Sequence, residues 1–174
     1  GDRLAFATND TYRFEVFGAD GSLERIILKP YDPTPVTEAH QRAILSLMRK
    51  QFETSGVPPG QIDLVLDGVS FADAWPAFTQ LRSGPDGTLW VQRVRYLEEL
   101  TDEELESYNP TLDQGSPQWD VYDTEGRYLG VVETPDRFTP FTVDGNTWYG
   151  VVRDEFDVQY VQVLRITGAG ASGS

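Results

Sequence analysis

Apolar and polar positions alternate in short runs over most of the chain. Phe14-Glu15-Val16-Phe17, Trp119-Asp120-Val121-Tyr122 and Val161-Gln162-Val163-Leu164 each read apolar, polar, apolar, apolar, the signature of a strand. After the first two quartets the agreement continues: Gly18-Ala19-Asp20-Gly21 parallels Asp123-Thr124-Glu125-Gly126, and Ile26-Ile27 parallels Val131-Val132 at the same offset. That is strand, tight turn, strand. Asp86-Gly87-Thr88-Leu89-Trp90-Val91 and Asp144-Gly145-Asn146-Thr147-Trp148-Tyr149 add two hairpins, in which Asp-Gly supplies a positive-φ turn and Trp follows at a fixed distance.

Trp119 and Val161 stand 42 residues apart (161 less 119), inside the roughly 40 to 45 residues of a four-stranded propeller blade. The predicted fold is therefore all-β, built of β-propeller blades, each a four-stranded antiparallel sheet. Lettering strands A to D outward, residues 3–29 hold B, C and D of one blade. Residues 77–83, 88–96, 118–123 and 127–133 form a complete blade, and 138–143, 147–153 and 158–166 give A, B and C of another. Such a set is a partial ring of about two and a half blades. Its missing strand would come from upstream sequence, because propellers commonly close by sharing a blade between distant segments, which removes an open edge.

Two insertions interrupt the strands. Across 34–56, Thr37 is an N-cap, Ala39, Ala43, Ile44, Leu47, Met48 and Phe52 recur at helical spacing, and Gly56 ends the run, so one amphipathic α-helix is expected. Across 98–116 the chain is acidic, and Thr101-Asp102-Glu103-Glu104 fits the cap of a short helix. The partial propeller spans 1–167, and the Gly/Ala/Ser run 168–174 reads as a flexible tail or linker. In antiparallel blades alternate connections share one end. Both insertions, and the loop carrying Asp154, Glu155 and Asp157, fall at the end opposite the tight turns. Recognition is usually built on such loops.

Charge narrows the partners. With 28 acidic against 14 basic residues the net charge is −14, which repels nucleic acid and anionic membranes. The absence of Cys excludes disulfides, thiolate metal sites and a thiol nucleophile. No apolar stretch reaches the ~20 residues of a membrane span.

These residues resemble the six-bladed β-propeller proteins related to NHL-repeat propellers, found largely in bacterial envelope and secreted proteins. The resemblance rests on Tyr12 to Ile27, Trp75-Pro76-Ala77-Phe78 after the helical insertion, the Asp86 to Val91 hairpin, and Trp119-Asp120-Val121-Tyr122-Asp123 with Gly126. It implies a bacterial, extracytoplasmic setting, periplasmic, envelope-associated or secreted. It carries over no catalytic residue.

No residue stands out as catalytic. His40, the single histidine, falls off the apolar face of its helix and reads as a solvated surface residue. The acidic run lacks the alternating pattern of a dedicated Ca²⁺ loop, so neither a metal nor another cofactor is predicted. The candidate partner-binding residues are Glu98, Glu99, Asp102, Glu103, Glu104 and Glu106, with Asp154, Glu155 and Asp157. The expected function is a noncatalytic protein-binding or scaffold module that docks a protein partner, or the remainder of the propeller, through this acidic face. The alternative is part of a propeller enzyme of lactonase, lyase or hydrolase type, with its site at the central channel.

Overall fold

The computed structural model describes residues 3–154 and 158–165. Among these, ten strands form three separate antiparallel sheets. The first contains β1 (Leu4–Phe6), β2 (Arg13–Phe17) and β3 (Leu23–Leu28), in that order. The middle sheet runs β4 (Gln80–Ser83), β5 (Leu89–Val94), β6 (Gly115–Tyr122) and β7 (Tyr128–Glu133). The third holds β8 (Phe138–Asp144), β9 (Thr147–Arg153) and β10 (Gln159–Arg165). Each predicted strand is present, and the three quartets lie in β2, β6 and β10, one per sheet. The segment 168–174, read as a tail, lies outside the described residues.

The middle sheet is covered on both faces. Phe14 and Ile27 of the first sheet, with Tyr12 just before β2, pack against Leu89, Val91 and Tyr122, with Phe78 beside them. On the other face Trp90, Trp119 and Val121 meet Phe138 and Trp148 of the third sheet. Trp148 stands edge-on to Trp119 at 5.5 Å between ring centroids and lies 4.4 Å from Trp90. Gly150 makes room for this packing, since a Cβ there would fall 2.4 Å from the Phe138 ring. Gly126, at φ +80°, serves the other interface: a Cβ would meet Ile27 at 2.8 Å.

The two Trp hairpins differ in a way their shared motif does not reveal. Trp90 faces the third sheet, whereas Trp148 faces back toward the middle sheet, so both enter one interface from opposite sides. Five residues separate the last pair Ser83↔Leu89, but two separate Asp144↔Thr147. An odd difference in loop length reverses which face a given position occupies.

The helical insertion is larger than predicted. α1 (Glu38–Thr54) begins at Thr37, whose hydroxyl accepts from the His40 amide while His40 Nδ1 accepts from the Thr37 amide. It ends at Gly56, with φ +75°. A second helix, α2 (Pro59–Asp67), then follows and buries Ile62 and Leu66. Pro58-Pro59-Gly60 reads as a break, yet proline at the first helical position forgoes an amide that would be unpaired anyway. The expectation of one inserted helix is thereby corrected. The acidic insertion holds a 3₁₀ turn (Leu97–Glu99) and α3 (Asp102–Ser107), capped reciprocally by Thr101 and Glu104.

Both insertions sit at the same end of the stack and pack on each other. Ile44 and Leu47 of α1 join Leu100 and Leu105 around a buried cluster of Trp75, Val94, Leu97 and Tyr108. Two residues of the α1 stripe, Ile44 and Leu47, are thus half-buried within the chain, while Ala39 and Ala43 stay exposed.

Candidate functional site: a cationic cleft between two sheets

Asp120 occupies the polar position of the Trp-Asp-Val-Tyr quartet. Trp119 and Val121 point to the third sheet, so Asp120 and Tyr122 point to the first, and the Asp120 side chain is 0 % exposed. A carboxylate in that position must be paired, because an isolated buried charge is costly. Five donors converge on it. Oδ1 accepts from Arg93 Nη2 at 2.7 Å, Arg93 Nε at 3.1 Å and the Tyr128 hydroxyl at 3.1 Å. Oδ2 accepts from Lys29 Nζ at 2.6 Å and from the Tyr12 hydroxyl. Tyr12 and Lys29 flank the first sheet, just before β2 and just after β3, while Arg93 and Tyr128 belong to the middle sheet. Asp120 therefore ties two sheets together.

Burial alone would raise the Asp120 carboxyl. The hydrogen bonds from Arg93, Lys29 and Tyr12, with the Lys29 charge, outweigh it and hold the group below the usual aspartate range. Burial first, and then the bond to Asp120, push the Tyr12 phenol far above its ordinary value, so it stays a neutral donor. Tyr122 is pushed up to about 12 by burial and by the Asp120 charge.

Above this network lies a cleft of about 500 Å³, opening at the insertion-bearing end. Lys29, Arg93 and Asp120 line it, and Tyr31, Tyr96 and Glu99 stand among its other walls. Tyr31 donates its hydroxyl to the Trp75 carbonyl at 2.8 Å, and the Tyr96 hydroxyl lies 3.3 Å from that of Thr34. Both phenol rings are therefore held in place.

The acidic residues singled out from the sequence take different roles. Glu98 reaches His40 Nε2 at 2.5 Å. Glu99 accepts from the Tyr96 amide at 3.4 Å. Glu104 caps Thr101 and pairs with Arg95, which also reaches Asp136. Asp102, Glu103 and Glu106 are exposed on α3. Arg137 joins the two acidic loops, donating to the Asp154 and Ser107 carbonyls, so Asp154 lies at the same end as α3. Glu155 and Asp157 fall outside the described residues. His40 is not the solvated residue expected: its ring is mostly covered, takes a 3.4 Å bond from the Trp75 indole, and links α1 to the 3₁₀ turn.

The sequence pattern marks the Trp119 quartet as a repeat and assigns Asp120 no role. The signal for one is that a polar position in a strand covered on both faces has no solvent side. Among the described residues there is no group of three or more His, Cys, Asp or Glu placed to hold a metal ion, and no helix long and apolar enough to cross a membrane. Comparison of the chain with protein-family models, curated proteins and solved structures yields no match.

Proposed function

We propose that the three sheets are consecutive blades of a β-propeller and that the chain serves as a noncatalytic scaffold and protein-binding module. One observation carries this reading. The first and third residues of each quartet face the following sheet: Phe14 and Val16 pack under the middle sheet, and Trp119 and Val121 under the third. Their counterparts Val161 and Val163 are 79 % and 57 % exposed. At the other end Leu4, Phe6 and Leu28 are likewise exposed on the first sheet's outer face. Both open faces carry the side chains that a further sheet would cover, and isolated apolar surface of this kind marks an interface.

The noncatalytic part rests on pairing. Five donors occupy both Asp120 oxygens, and both His40 ring nitrogens are engaged, so the two natural acid-base candidates serve the structure. Docking of a basic protein surface falls to Asp102, Glu103 and Glu106, since Glu98 and Glu104 are bound within the chain. An envelope or secreted setting accompanies this reading through the family resemblance alone.

Binding of an apolar fluorescent dye tests the open faces. Enhancement by the native chain should drop on Phe6→Lys combined with Val163→Lys. A chain that binds no dye at all, with its far-ultraviolet spectrum intact, would contradict the reading.

A further inference from the structure

We infer that the cleft over Asp120 is a binding site for a small hydroxylated monocarboxylate. The arrangement of pairs points to an anion. Of the three cations in the lining, Arg95 is engaged by Glu104 and Asp136, which leaves Lys29 and Arg93 with the carboxylates Asp120 and Glu99. At the floor two cations share a single carboxylate. The side chains of Lys29 and Arg93 are 34 % and 37 % exposed, whereas that of Asp120 is 0 %. The paired anion is thus sealed below, and the cations that hold it open onto the cleft.

Donors remain for a ligand. Lys29 has three N–H groups, gives one to Asp120, and stands 4.8 Å and 5.5 Å from the ring centres of Tyr12 and Tyr128. These contacts fix the ammonium in place. A carboxylate set beside Lys29 and Arg93 would complete a balanced set of two cations and two anions.

Hydroxyls follow from another residue of the lining. Glu99 takes one long bond from the Tyr96 amide and keeps lone pairs for O–H donors. Tyr31 and Tyr96, anchored by their own hydroxyls, offer ring surface to the C–H faces of such a molecule. The volume, about 500 Å³, lies within the range of small-molecule sites. This inference is separate from the blade-stacking reading, since it concerns the interface between two sheets that already touch.

Isothermal titration with gluconate, glucitol and benzoate tests it. Glucitol keeps the hydroxyls without the charge, and benzoate keeps the charge without the hydroxyls. Gluconate should bind, glucitol should not, and benzoate should bind more weakly. Lys29→Gln should weaken gluconate by about tenfold or more, while Lys29→Arg retains it. Equal binding of gluconate and glucitol, no binding of gluconate, or an unchanged affinity in folded Lys29→Gln would overturn the inference. Should Lys29→Gln fail to fold, the gluconate and glucitol titrations of the native chain decide alone.

Discussion

The two faces of the middle sheet are held by different physics. Toward the third sheet, Trp90, Trp119, Trp148 and Phe138 form an aromatic cluster whose stability comes from buried area and ring geometry. Toward the first sheet, aromatic packing surrounds a carboxylate held by a lysine, an arginine and two phenols. One interface should be indifferent to pH and unforgiving of lost volume. The other should answer to acid and to loss of a single oxygen pair. The contrast shows how one repeated quartet can serve two interfaces, because alternate positions of β6 supply Trp119 and Val121 to one and Asp120 and Tyr122 to the other.

The largest effect should come from Trp148→Ala, which empties the centre of the aromatic cluster and should cost about 4 kcal/mol in denaturant unfolding. A loss below about 1 kcal/mol would mean that the third sheet is not held there. Asp120→Ala should follow at about 3 kcal/mol, the low end for a broken buried pair, because Lys29 and Arg93 can reach solvent once released.

Acid separates the two faces further. The Asp120 carboxyl lies below its unfolded value, so its contribution is complete above about pH 4, the unfolded aspartate range, and is lost as the pH falls through the folded value. Unfolding of the native chain below that pH should therefore steepen relative to Asp120→Asn. Trp148→Ala should keep the native slope. Parallel pH profiles for the native chain and Asp120→Asn would contradict the role of the ionised Asp120 carboxylate in tying the two sheets together.

The smallest changes belong to the insertions. Thr37→Ala and Thr101→Ala each remove a cap acceptor and should cost about 1 kcal/mol, read in the same unfolding experiment. Thr37→Ala should not alter the response of Asp120 to acid.

Much of this architecture is legible in the sequence, and for definite reasons. Alternation marked all ten strands, since each has at least one face that must choose between core and solvent. The caps of α1 and α3 were visible as Thr37 and as Thr101 with Glu104. What stayed hidden depended on contacts between distant segments. The pairing of Asp120 depends on donors from four separate segments, Tyr12, Lys29, Arg93 and Tyr128. The opposed directions of Trp90 and Trp148 required the pairing register beyond each turn. α2 was masked by Pro58, Pro59 and Gly60, residues that break helices inside but can begin them. Of the acidic residues, sequence could group Glu98 to Glu106 but not foresee that His40 and Arg95 would engage Glu98 and Glu104.

The stacking reading stands on Val161 and Val163 occupying the positions that Phe14, Val16, Trp119 and Val121 fill beneath a neighbouring sheet. Sedimentation equilibrium over a range of concentrations tests this directly, because in isolation another copy is the available source of a covering sheet. The account predicts a weight-average mass that climbs above the 19.5 kDa of one chain as concentration rises and returns to it in Phe6→Lys combined with Val163→Lys. A native chain that stays at 19.5 kDa throughout would contradict it.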